Sequence, residues 1–266
     1  MNETVPSLPP RDTSELVKAI RARTPARLLV GRSGPAYRTA TQLQLRQDHA
    51  AALDAVHAEL DLERDFGAVL RERWGLFEVP TRADSKETFL LRPDLGRQLS
   101  DEASSEIVRL CSACADLQVA IGDGLSAAAV AAQVPRLLPL LARETEKRGW
   151  RFGRPLVIRH CRVGVLNDIG ELLNPAVVAL LIGERPGLAT AESLSAYLAY
   201  RPRAGHTDAN RNLISNIHAR GVPCEAAALR IVNFAAKMID ARASGVAVKE
   251  ELPTATAPIA ILNPGP

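Results

Sequence analysis

Glu184 is the residue best placed to meet a ligand. It follows the unbroken apolar run Ala176 to Ile182, inside the turn Gly183-Glu184-Arg185-Pro186-Gly187. A run of that length, bounded by Asn174-Pro175 and Gly183, suits a strand covered on both faces, as in a parallel sheet. Open α/β sheets bind ligands at the carboxyl ends of such strands, where loop backbone groups converge on a crevice. A carboxylate there can accept hydrogen bonds from the amide groups of a ligand. Its plainer role is an ion pair with Arg185 or another base, which contributes little when exposed. A second candidate is Ile121-Gly-Asp-Gly-Leu-Ser126. A strand, a glycine turn and a helix start can cradle a phosphate. The full G-x-G-x-x-G is missing, because position 127 is Ala, and no compelling acidic partner follows at the usual distance. The stretch reads as a tight βα turn at the edge of another ligand's site.

Other reactive side chains read more plainly. His206 and Asp208 lie near Ser193 and Ser195, but a hydrolase would need a nucleophile elbow such as G-x-S-x-G, and none occurs. They read as solvated loop residues. His160-Cys161 and His218 lack metal-ligand spacing to a second group. Cys111-Ser-Ala-Cys114 is a C-x-x-C without a second such pair, inside a helix-like segment, and reads as two reduced, packed thiols.

The elements that must position these residues follow from composition and periodicity. At 266 residues and 47% hydrophobic, the chain can bury a sizeable core in one large domain or two smaller ones. A formal charge of +3, from 33 basic and 30 acidic residues, is too balanced for a nucleic-acid surface. No apolar run reaches the ~20 residues of a membrane-spanning helix. The start, MNETVPSLPPRD, has no basic stretch followed by an apolar one, so a cytoplasmic setting is expected. Residues 1–12 read as a disordered tail and 251–266 as a flexible one. Asp12-x-x-Glu15 reads as a capping box before a short amphipathic piece with Leu16 and Ile20. Residues 13–96 read as a mostly helical N-terminal domain, with a helix near 39–62, another near 65–73 and a loop at 79–84.

Residues 97–250 read as strands alternating with helices. Leu117, Val119 and Ile121 alternate as a strand, and Ser126 can cap the helix that follows. Pro135 and Pro139 predict a kink or two helical pieces. Leu156 to Ile158 is a second strand, Gly164 to Leu173 a short helix or turn, and Ala176 to Ile182 the central strand. Ser195 to Tyr200 fits a strand or a helix end, Asn210 to His218 reads as helix, and Pro223 opens the last long helix. The expected class is α/β: a doubly wound, Rossmann-like parallel sheet preceded by a small helical N-terminal domain.

The string LLIGERPGLATAESLSAY, with VGVLNDIG before it and RNLISNIHARG after it, resembles the light-subunit family of ethanolamine ammonia-lyase. GRSGPAYRTAT and AIGDGLSA resemble two more of its segments in the expected order, so the resemblance runs from about Ala26 to Ala243. It implies adenosylcobalamin as cofactor and a TIM-barrel large subunit as partner, in a hetero-oligomer of large/small pairs. The implied reaction turns ethanolamine into acetaldehyde and ammonia through homolysis of the cofactor's Co–C bond. The large subunit would hold substrate and catalytic groups, so no catalytic residue is expected in this chain. Val163, Glu184 and Leu213 match the family's cobalamin contacts. Some members carry Cys at the last position; Leu leaves a backbone or apolar contact. The Asp-x-His-x-x-Gly signature of proteins that replace the cofactor's own base is absent. Members of the family can be housed in a protein-shelled microcompartment. The competing readings are a self-sufficient nucleotide-binding Rossmann oxidoreductase, supported only by the Gly122 turn, and a non-catalytic structural subunit.

Overall fold

The computed structural model describes residues 13–22, 28–187 and 190–250. Both expected tails, and the Asp12 cap, lie outside these residues. In chain order the elements are α1 (Thr13–Ala22), a two-strand ribbon of β1 (Arg32–Ser33) and β2 (Ala36–Tyr37), α2 (Thr39–His57), α3 (Leu62–Trp74), β3 (Glu78–Pro80), α4 (Lys86–Leu91) and α5 (Asp101–Leu110). Then come β4 (Leu117–Gly122), α6 (Ala127–Glu146), β5 (Leu156–Arg159), α7 (Leu166–Leu173), β6 (Val177–Gly183), β7 (Leu194–Tyr200), β8 (Asn212–Ile217) and α8 (Cys224–Ala241).

Six strands form one mixed sheet in the order β3-β5-β4-β6-β7-β8. The first four are parallel, and β7 and β8 are antiparallel. Apolar residues alternate between two cores, as the period of a strand requires. Val119, Val157, Leu181 and Ala196 face α6 and α8; Ala120, Ile158, Leu180 and Ile182 face α5 and α7. Strand β6 is buried along its whole length, which explains its unbroken apolar run.

Several expectations are corrected. The 79–84 loop begins with β3, a three-residue edge strand paired in parallel with β5, so the mostly helical N-terminal region also supplies the main sheet. Pro135 and Pro139 do not divide their helix: α6 is continuous from Ala127 to Glu146. Both prolines sit on its partly exposed side, where freed carbonyls can reach water, while Val130, Val134, Leu137, Leu138 and Leu141 are buried opposite. The expected helix at 210–218 is strand β8. A register shift between Leu194 and Ala196 puts the buried Ile214 and Ile217 three residues apart, a helical spacing produced by a bulge. Between the two readings left open for Ser195 to Tyr200, the structure has the strand, β7.

Candidate functional site

The turn after β4 is closed by the chain itself. Asp123 is 2% exposed, and its two carboxylate oxygens accept the backbone N–H groups of His160 and Cys161, each at 2.8 Å. These donors follow β5, whose helix α7 packs on the opposite face of the sheet from α6. Asp123 therefore fills the crevice between two strands whose connections diverge, the place where such sheets ordinarily take a ligand. Burial pushes its carboxyl up, opposed by the Lys86 charge and the two backbone donors. Lys86 is itself buried, and its ammonium donates to the Gly124 carbonyl at 3.4 Å. Ser126 caps α6 as expected, accepting from Ala129 N at 3.3 Å, and donates to Ala191 O at 2.6 Å. A nucleotide phosphate would meet an anion and a capped helix here.

The turn after β6 is open. Glu184 is half-buried. Ser193 donates to its Oε2 at 2.7 Å, Ser195 donates to Oε1, and Asn216 N also reaches Oε1 at 3.3 Å. The Glu184 N–H donates to Ser193 O at 3.1 Å. The carboxylate is thus aimed by β7 and β8 rather than by Arg185. A carboxylate offers about four acceptor sites, so Oε2, with one donor, keeps room for a ligand N–H. The Ser193-x-Ser195 spacing at the start of a strand was the signal for this support, since alternate residues share a face.

Val163 opens a single 3-10 turn, Val163–Val165, after β5. Together with Cys161, Glu184, Ser195 and Tyr197 it lines a depression of about 250 Å³. Leu213 does not line that depression. It stands on β8 directly across from Tyr197 of β7, is 46% exposed, and continues the same sheet face. Helices cover this face over β3 to β6 (α5 and α7), while the packing of α8 against β7 and β8 is on the reverse side. Val163, Glu184 and Leu213 therefore border a sheet face that no helix of this chain covers among the described residues. Tyr197, the residue at its centre, was not singled out from sequence. Burial, then the charges of Asp208 and Glu184, push its phenol up.

The 201–211 loop is more built than its polarity suggested. The Arg211 side chain is 6% exposed, pairs with Asp208 at 2.5 Å and donates to Asn167 Oδ1 at 3.2 Å. Asn167 also holds the His206 carbonyl at 2.9 Å, so His206 is half-buried rather than solvated. Cys111 and Cys114 are free thiols, the first buried and the second exposed; burial pushes Cys111 up to about 11.

The fold is mixed α/β, with a half-buried, serine-held carboxylate at the exit of its central strand. Comparison with known proteins gives the family. The model of the ethanolamine ammonia-lyase light chain (EutC) matches residues 14–249. The small subunit of ethanolamine ammonia-lyase from Clostridium perfringens is 40% identical over 230 residues, covering 86% of this chain and 76% of that protein. The one from Clostridioides difficile is 40% identical over 240 residues, 90% of this chain and 80% of that protein. The one from Fusobacterium nucleatum is 41% identical over 229 residues, 86% and 76%. The chain belongs to the ethanolamine ammonia-lyase light-chain family, and its function is that of the small subunit of this carbon–nitrogen lyase.

Proposed function

We propose that the uncovered face beside Glu184 covers adenosylcobalamin against a TIM-barrel large subunit, in a hetero-oligomer that deaminates ethanolamine to acetaldehyde and ammonia. The observation that carries this reading is the Glu184 carboxylate, held by two serines and a backbone N–H at the rim of an apolar sheet face. The chemistry of the donor set fits a corrin, an apolar disc rimmed by amides. Val163, Tyr197 and the exposed Leu213 offer apolar surface, and Glu184 offers an acceptor for an amide N–H.

When bound, the cofactor supplies radical chemistry that no amino-acid side chain provides. This chain's residues bind, orient and exclude water. Val163 and Leu213 would lie against the corrin and Glu184 would fix its rotation through one amide. Substrate and catalytic groups belong to the partner. In this reading residues 97–250 are the cobalamin-binding, Rossmann-like unit, in which β5, β4 and β6 with α6 and α7 form the doubly wound part. Residues 13–96 are its helical N-terminal domain, which lends β3 to the sheet. No helix among the described residues is long and apolar enough to cross a membrane. We place the assembly in the cytoplasm, within a protein-shelled compartment where the cell makes one.

The test is Glu184→Ala in the complex with the large subunit, read by titrating cobalamin and following its visible absorbance. Loss of an acceptor to a ligand amide weakens binding by about tenfold, roughly 1.4 kcal/mol. Unchanged cofactor affinity removes Glu184 from the site.

A further inference from the structure

The opposite edge of the sheet, where β3, β4 and β5 begin, holds a cavity of about 620 Å³. It lies between the last turns of α3 and α6 and the loop that enters β5. Its volume falls in the ~300–1,000 Å³ range of small-molecule clefts. It shares no lining residue with the Glu184 depression. The chain has two tryptophans, Trp74 and Trp150, and both line this cavity, with Phe152 beside them. The Trp74 and Phe152 rings meet at a tilt with centres 5.8 Å apart, and the Arg148 guanidinium sits 5.3 Å over Trp150. Both tryptophans are half-buried, so each keeps exposed surface.

The charges around this cavity are unbalanced. Three arginines, Arg73, Arg151 and Arg154, line it against one carboxylate, Glu146. Arg154 has a structural task. It donates to Gly75 O at 2.7 Å and Leu110 O at 3.4 Å, the carbonyls where α3 and α5 end. That meets the partial negative charge that helix C-termini bring to this edge. The other two keep more donors free. Arg151 is exposed, donates to Cys114 O and stands 3.8 Å from Asp116. Arg73 is exposed, lies 5.3 Å over the Trp74 ring, and has no carboxylate within ion-pair distance among the described residues. An independent observation points to the same wall. The Trp74 indole N–H is buried without an acceptor, and the fully buried Gln118 has its Oε1 unmet where it packs against Gly153 of the lining.

We propose that this cavity binds a nucleoside phosphate, with the base on the aromatic wall and the phosphate at Arg73 and Arg151. Every base has a π face, so indole and phenyl surfaces hold it by stacking. Base edges carry both donors and acceptors, which suits the unmet Trp74 donor and Gln118 acceptor. Planar guanidinium forks match phosphate oxygens in geometry as well as charge. A phosphate alone would leave the aromatic wall unused, and an uncharged ring would leave the two guanidiniums unmatched. The site is separate from the cofactor face, which lies at the carboxyl ends of the strands. It is also separate from the Gly122 turn, where Asp123 takes the backbone donors that a phosphate would need.

The test is equilibrium dialysis of AMP, adenosine and inorganic phosphate, each against the intact complex with the large subunit. Wild type should bind AMP about tenfold or more tightly than either fragment. Arg73 is exposed, so Arg73→Gln removes charge with little effect on packing. It should weaken AMP about tenfold and adenosine less than about twofold, and Arg73→Lys should recover part of the loss. Trp150→Leu should weaken AMP and adenosine alike, by about tenfold, and phosphate less than about twofold. If Trp150→Leu does not fold, Arg73→Gln decides alone. AMP bound equally by wild type and Arg73→Gln overturns the site, because the nucleotide then sits elsewhere in the complex. Adenosine as tight as AMP removes the phosphate, and phosphate as tight as AMP removes the base; either result overturns the proposal. So does a wild-type complex that holds no AMP at about 1 mM.

Discussion

Asp123 and Glu184 end two neighbouring parallel strands, β4 and β6, one residue past each strand, yet they do opposite things. Asp123 turns inward, is 2% exposed and spends both oxygens on backbone N–H groups of the next strand's exit. Glu184 turns to the rim and takes two serine hydroxyls and one backbone donor. Position at a strand end thus does not make a carboxylate a ligand contact. The difference lies in what already fills its acceptor sites. The usual crevice of the fold is sealed by Asp123, and the open surface moves two strands along, to the side where the sheet turns antiparallel.

The comparison breaks most sharply at Asp123. Asp123→Ala strips the acceptors from two buried backbone N–H groups, at about 1–3 kcal/mol each, and removes the larger of the two carboxylate charges, Asp123 and Glu59, that act on Lys86. A loss of about 3 kcal/mol or more is expected in urea unfolding, and a variant as stable as wild type would mean that the knot is ornamental. Gly124→Ala comes next. Gly124 has φ +59, and a Cβ there would collide with the Gly183 carbonyl, the residue just before Glu184. About 2 kcal/mol of stability should go, with cofactor affinity falling too, because the two turns are in contact. Affinity held at the wild-type value in that variant would uncouple them. Glu184→Ala should show the reverse balance, an affinity loss with a stability cost of only about 1 kcal/mol for two serine hydroxyls released.

The smallest effect is expected far from both turns. The Cys111 thiol is pushed up to about 11 by burial, above the ~8.5 of a free thiol. Its folded pKa is raised, so its contribution to stability is fully present below about pH 8.5 and fades as pH rises through about 11. The stability gap between wild type and Cys111→Ala should therefore narrow between about pH 8 and 10.5 in thermal melts. A constant gap would show that burial does not govern this thiol.

What the chain disclosed by itself follows one physical line. Strand β6 was legible because burial on both faces leaves an unbroken apolar run, and the Ser126 cap because capping is local chemistry. Strand β8 was misread because a bulge spaced Ile214 and Ile217 like a helix face. Strand β3 was missed because three residues ending in Pro80 carry no periodicity. Pro135 and Pro139 misled because the packing of one buried face outweighs two lost backbone bonds. At the site, Glu184 stood out from its turn. The Asp123 knot did not, since it joins residues 37 positions apart, and neither did Tyr197, whose role comes from register with Leu213.

The sheet's two borders constrain how a partner can attach. At one border β3 offers three residues and ends in a proline. At the other, Ile217 bridges Val222, and the Asn212 amide binds Gly245 O and Val248 O while its oxygen accepts from Gly245 N. Among the described residues the first rim is short and proline-ended and the second is occupied at both of its ends, which disfavours extension of the sheet by strand addition. Borders of this kind favour attachment by side-chain contact, face against face, over the fusing of backbones into one continuous ribbon.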